Sequence, residues 1–153
     1  MPDLQPGVPA PDIELQDESG NTFRLSEQRG RKVVLYFYPR ASTPGCTVEA
    51  CEFRDANQDI LARGAVIAGV SPDRAPALVK FKNAQRLTFP LLSDPDHKAA
   101  EAYGVWKEKN MYGKKVMGIE RSTFIIDEDG RVAKVFHKVK PQGHAAEVLA
   151  ELG

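Results

Sequence analysis

Residues 33–38 read VVLYFY, an unbroken apolar run rich in β-branched and aromatic side chains. Alternation is missing, so neither face of this segment meets water. Such a strand belongs at the centre of a parallel or mixed sheet with layers packed on both sides. Pro39 ends it. Four residues later Thr43 has the character of a helix N-cap, and Pro44 that of the first helical residue. The helix predicted from there runs through CTVEACEFRDANQDILAR and stops at Gly64. A buried strand feeding directly into a helix limits the chain to α/β architectures.

The remaining pattern agrees. AVIAGV (residues 65–70) is a second buried strand, DRAPALVKFKNAQR a helix and TFPLLSD a short strand. PDHKAAEAYGV follows as a helix opening at Pro95. Two hairpins bracket this unit. IELQDESGNTFRL turns at Ser-Gly-Asn, and STFIIDEDGRVAKVFHKV turns at Asp-Glu-Asp-Gly. GHAAEVLAELG closes the chain as an amphipathic helix. WKEKNMYGKKVMGIE (residues 106–120) is polar, carries two glycines and reads as a long loop. The first eleven residues hold four prolines and read as an extended arm. The expected fold is an α/β sandwich with a mixed central sheet flanked by helices. With 153 residues and no linker or repeat, one domain over residues 1–153 is expected.

Composition removes several functions. Lys plus Arg equals Asp plus Glu at 21 each, so the basic excess of a nucleic-acid binder is lacking. No apolar run approaches the length of a membrane span. The N-terminal residues have neither the basic nor the apolar region of a secretory signal, which points to a reducing, cytoplasmic compartment.

In that setting TPGCTVEAC (residues 43–51) is the informative stretch, because it holds both cysteines of the chain, Cys46 and Cys51. Cys46 falls in the first turn of the predicted helix, where unpaired N–H groups and the positive dipole end stabilise a thiolate. Read alone, it is more readily a small apolar core residue that lies near a helix start. Cys51 lies five residues on, about 7.5 Å along the axis and about 140° around it, so the Cα atoms are about 8.7 Å apart. A disulfide needs about 7 Å or less. Either the pair never bonds, or the helix unwinds locally when it does.

At FYPRASTPGCTVEACEFRD the chain closely resembles the peroxiredoxins, and within them the bacterioferritin comigratory protein, or peroxiredoxin Q, group. The pattern Pro-x-x-x-Thr/Ser-x-x-Cys is met by Pro39, Thr43 and Cys46, and Cys51 supplies the subgroup's second cysteine. SDPDHKAAEAYGVW and RSTFIIDEDG are similar to family segments in the same order, so the likeness spans nearly the whole chain. The resemblance implies a thioredoxin-like fold and thiol-dependent reduction of hydrogen peroxide and organic hydroperoxides. It implies Cys46 as the peroxidatic residue, giving a sulfenic acid, and Cys51 as the resolving residue. It implies reduction of the resulting disulfide by thioredoxin or a similar dithiol, a monomer, and no metal, haem or flavin. Thr43 would orient the peroxide, although its hydroxyl also suits a simple N-cap. Pro39 would shield the thiolate, or merely end the strand. Arg121, at the start of RSTFIID, would stabilise the thiolate and the leaving oxygen. By composition alone Arg121 is one arginine among many, and Arg40 and Arg54 lie nearer in sequence.

Glu49, one turn past Cys46, reads as a solvated helix charge or as a member of an active-site network. His97, His137 and His144 are scattered and read as structural or surface residues. Trp106 and Tyr112 read as locally packed, or as lining an entrance. Two other functions use the same cysteines. A disulfide reductase predicts Cys-x-x-Cys, which is absent. A redox-regulated binding protein, unwinding its helix on oxidation, remains compatible with the spacing.

Overall fold

The computed structural model describes residues 4–153. The first three residues of the proline-rich arm lie outside that range, as does the side chain of Met111. Strands β1 (Glu14–Asp17) and β2 (Thr22–Arg24) form the first expected hairpin. The apolar run becomes β3 (Lys32–Phe37), and α1 (Pro44–Ala62) starts at the proline that signalled it. Just past its end, Gly64 takes φ +77°, the left-handed stop for which glycine carries no Cβ penalty. Then come β4 (Ala65–Ser71), α2 (Ala75–Gln85), β5 (Leu91–Ser93) and α3 (Lys98–Ala102). The last part holds β6 (Trp106–Met111), β7 (Lys114–Ile119), β8 (Ser122–Ile126), β9 (Val132–Phe136) and α4 (His144–Leu152).

Among the described residues, seven strands form one sheet in the order β2-β1-β5-β4-β3-β8-β9. β3, β4 and β5 run parallel; β8 lies antiparallel to β3, and β1 antiparallel to β5. The sheet is therefore mixed, as expected, with β3 bonded on both edges. Alternate side chains of residues 33–38 enter two different cores. Val34, Tyr36 and Tyr38 pack with Phe53 and Ile60 of α1, Leu78 and Phe81 of α2 and Val148 of α4. Val33, Leu35 and Phe37 pack on the opposite face with Leu92, Tyr103, Val105 and Phe124. Two cores on one strand are the physical cause of the unbroken apolar run. Gly69 pairs with Tyr36, and a Cβ there would sit 2.8 Å from the tyrosine ring. Its lack of a side chain lets that ring lie across the sheet.

Two expectations are corrected. Residues 106–120 are not a loop but the β6–β7 hairpin, paired from Trp106↔Ile119 to Met111↔Lys114. Its turn places Tyr112 and Gly113 at φ +54° and +79°, the two left-handed positions of a tight hairpin turn. The hairpin stands clear of the main sheet and β7 is largely exposed, so neither strand carries an apolar alternation to read. The helix expected from Pro95 is shorter, beginning at Lys98, with Pro95 in the preceding turn. Asp94 accepts the N–H groups of Ala99 (3.2 Å) and Ala100 (3.0 Å), which fixes the later start. Among the described residues, no helix is long and apolar enough to cross a membrane.

Phe124 carries the second core. It is fully buried, edge-on to Phe37 at 5.8 Å and to Tyr103 at 5.0 Å. Phe124→Ala is expected to lower the unfolding free energy by about 3–5 kcal/mol, read from urea denaturation. A loss below about 1 kcal/mol would mean that this layer does not bear on stability.

Candidate active site

The end of β3 leads through residues 39–43 into α1. This connection is pinned from the neighbouring strand. Asp73, just past β4, accepts the Ala41 N–H at 2.7 Å and the Ser71 hydroxyl at 2.8 Å. Ser42 takes φ +65°, a left-handed conformation uncommon for a residue with a side chain. Thr43 then occupies the N-cap position with extended dihedrals, but its hydroxyl makes no capping bond. It turns back and donates to the Arg40 carbonyl at 2.9 Å. The expected capping role is thus met by backbone geometry and not by the side chain. Pro39 is half-buried at the exit of β3.

Cys46 is 1% exposed in the first turn of α1. Arg121 reaches it from a segment 75 residues away, its Nη2 donating to Sγ at 3.2 Å. Strand pairing explains the meeting. β3 and β8 are antiparallel with Phe37 opposite Ser122, so the residue entering β8 lies beside the residues leaving β3. The guanidinium rests against Gly45, where a Cβ would be 3.3 Å from Nη2 and 3.4 Å from Pro141. Arginine and proline therefore fill the space that glycine leaves.

The second guanidinium nitrogen, Nη1, donates to Glu49 Oε1 at 2.7 Å. Glu49 follows Cys46 by three residues and shares its face of α1. It is 1% exposed and Arg121 14%, so this is a buried ion pair and not the solvated charge favoured by the local sequence. Burial pushes the Glu49 carboxyl up to about 7, against the pull of Arg121 and with a small push from Glu52. Arg121 is held above its ordinary range: burial works against its charge, and Glu49 and Cys46 more than offset that. The phenols of Tyr36 and Tyr38 lie nearby in the first core and are pushed up by burial, so both stay neutral. An arginine fixed by a carboxylate and aimed at a buried sulfur can stabilise negative charge on that sulfur or on an atom bonded to it.

Cys51 does not join this group. Both cysteines are free and both lie within the unbroken α1. Cys51 is half-buried, and its thiol donates to Gln85 Oε1 at 3.4 Å. The histidines serve other contacts. His144 is buried edge-on to Phe53 and Phe136, bonded to Thr123 Oγ1 at 2.7 Å and Glu147 at 3.1 Å, and burial lowers its affinity for a proton. His97 stacks on Trp106 at 3.7 Å, and His137 lies 3.4 Å from Glu120. Tyr112, expected to pack locally, is fully exposed at the hairpin turn. Among the described residues, no cluster of three or more His, Cys, Asp or Glu side chains is placed to hold a metal ion. Two contributors were legible in the sequence only in part or not at all. Asp73 carries no local signal, and Glu49 carried one, its spacing from Cys46, which does not reveal burial.

Because Glu49 holds its proton more tightly folded than unfolded, its contribution to stability is full below about pH 4.5 and is lost as pH rises through about 7. The unfolding free energy of the parent, minus that of Glu49→Gln, should therefore fall between those limits. A difference that rises over the same interval would reverse the assignment.

The chain as a whole is similar to known proteins. Residues 6–135 match the AhpC/TSA family. Peroxiredoxin Bcp of Bacillus subtilis is 51% identical, over 97% of this chain and 95% of its own length. Peroxiredoxin Bcp of Escherichia coli K12 is 42% identical, over 97% and 96%. A solved structure of Xanthomonas campestris peroxiredoxin Q superposes with a TM-score of 0.91 at 42% identity, covering 96% of each chain. A second Xanthomonas campestris structure, of a bacterioferritin comigratory protein studied for alkyl peroxide reduction, gives 0.91 at 41% identity, covering 97% of each.

Proposed function

From the premise that the chain belongs to the AhpC/TSA family and is a peroxiredoxin with a thioredoxin-like fold, we propose that Cys46 is its peroxidatic residue and Cys51 its resolving residue. The enzyme reduces peroxides at the expense of a thiol. The observation that carries the residue assignment is the 3.2 Å approach of Arg121 Nη2 to Cys46 Sγ at the start of α1.

The steps follow from that geometry. The Cys46 thiolate attacks one peroxide oxygen, the O–O bond breaks, and its electron pair leaves on the second oxygen. That oxygen takes a proton and departs as water or an alcohol, leaving a sulfenic acid on Cys46. Arg121 offsets charge on sulfur before attack and on the departing oxygen during it, and Glu49 keeps the guanidinium turned towards both. The Thr43 hydroxyl, which donates to the Arg40 carbonyl, reorients to hold the peroxide. Pro39, with no N–H to offer, limits water at the mouth of the site.

Resolution needs Cys51 to approach. Its sulfur attacks the sulfenic sulfur, forming the disulfide and releasing water, and α1 unwinds locally to allow it. A strained bond of that kind is readily reduced, and a thioredoxin-type dithiol in a reducing cytoplasm suits the task. The subgroup likeness supports a monomer as the working form.

Two variants test these roles. Cys51→Ser should keep a full first turnover with peroxide, accumulate the sulfenic acid by intact mass, and stop thioredoxin-linked cycling. Cycling at the parental rate would remove Cys51 from the resolving role. Arg121→Met should slow Cys46 oxidation about 100-fold in stopped-flow measurements, the usual scale for losing one preorganised donor. An unchanged rate would place the source of Cys46 reactivity elsewhere.

A further inference from the structure

Two residues that follow Cys51 within one turn of α1, Glu52 and Arg54, bear opposite charges and are tied to the ends of two different helices. Glu52 Oε1 accepts the Gly143 N–H at 2.9 Å, and Gly143 is the N-cap residue of α4. Arg54 Nη1 donates to the Gln85 carbonyl at 2.6 Å, and Gln85 is the last residue of α2. Each charge therefore meets the dipole end of opposite sign, a carboxylate at the positive end of α4 and a guanidinium at the negative end of α2. Cys51 is drawn to the same side as Arg54, donating to the Gln85 side chain. Residues 51, 52 and 54 are thus all held from outside α1.

We propose that Glu52 and Arg54 form a charged clamp that keeps the Cys51 turn helical and sets the rate at which the disulfide forms. The proposal rests on the roles given above to Cys46 and Cys51. For the bond to form, the Cα atoms must close from about 8.7 Å to within about 7 Å, so the backbone bonds of this turn must break. Breaking them carries Glu52 away from α4 and Arg54 away from α2. The Cys51 sulfur attacks the sulfenic sulfur of Cys46, the S–S bond forms, the S–O bond breaks, and hydroxide leaves with the Cys51 proton as water. The clamp acts before this step, on how often the turn opens. A slow opening prolongs the sulfenic acid, which a second peroxide can then oxidise to the sulfinic acid. Glu52 and Arg54 are positioning residues and touch neither peroxide nor the reacting sulfurs.

The test compares the parent with Glu52→Gln, Arg54→Met and the pair. Hydrogen exchange on the reduced proteins, without peroxide, reads opening directly. Amides of residues 47–55 should exchange about tenfold faster in the pair, the factor expected for loss of about one charge-assisted bond. Rapid-quench intact mass after one equivalent of hydrogen peroxide reads the two chemical steps. Gain of one oxygen on Cys46 should keep its parental rate to within about twofold, whereas loss of two hydrogens should be about tenfold faster in the pair. About 0.5 M salt should speed the disulfide step of the parent and leave that of the neutral pair unchanged, because partly exposed charges are screened. A general loosening of the fold would not remove the salt response. Unchanged exchange in the pair overturns the clamp, as does faster exchange with an unchanged disulfide rate. A parent that neither gains an oxygen nor loses two hydrogens overturns the peroxidatic assignment instead, and the exchange experiment then decides the clamp by itself.

Discussion

The antiparallel pairing of β3 with β8 is the constraint on which the site depends. β3 is bonded on both edges and buried on both faces, so its course through the molecule has no freedom. Once Phe37 stands opposite Ser122, the residue before β8 must lie beside the loop that follows β3. Arg121 and Cys46 are neighbours for that reason, although most of two α/β units separates them in sequence. The parallel partner β4 acts on the other edge, bringing Ser71 and Asp73 under the same loop and holding Ala41. Sheet register thus fixes the first turn of α1 from two sides.

The charges placed there are expensive to bury, and their arrangement answers the cost. Arg121 bridges two partners with separate nitrogens, Glu49 at 2.7 Å and Cys46 at 3.2 Å, so the fork geometry of a guanidinium is used in full. A lysine could not serve both atoms in the same way. Burial nevertheless outweighs the attraction at Glu49, whose carboxyl is raised to about 7. Such a pair contributes little net stability, while removing either member leaves the other unpaired in a poor environment. Its value is orientation: a guanidinium held in one position before the substrate arrives needs no rearrangement when charge develops.

The helix that carries Cys46 is both its scaffold and the obstacle to the next step. An intact α1 presents the thiol from its first turn and keeps Cys51 on another face, bonded towards α2. Under the roles proposed for the two cysteines, the reduced fold suits the meeting with peroxide, and disulfide formation requires part of it to open. The buried face of α1 beyond this turn, with Asn57 and Ile60, anchors the rest of the helix in the core. Opening is thereby restricted to the few residues around the two sulfurs, where ties to α2 and α4 are polar and lie near the surface.

What the sequence determined by itself was whatever has a local physical cause. VVLYFY announced a strand buried on both faces, Thr-Pro announced the start of α1, and Asp-Glu-Asp-Gly announced the β8–β9 hairpin, because period, proline geometry and turn chemistry act over a few residues. The helical spacing of Cys46 and Cys51 was likewise readable, since α-helix geometry is the same in any protein. The β6–β7 hairpin was not readable, because an exposed ribbon buries no alternating face. Glu49 looked solvated because nothing within one turn of helix reveals that β8 will bring Arg121 over it. Arg121 itself stood out from the other arginines only through the family pattern, and Asp73 not at all. These residues acquire their surroundings from strand register and helix packing across many tens of residues. Tertiary structure alone decides which charges are removed from water and which meet.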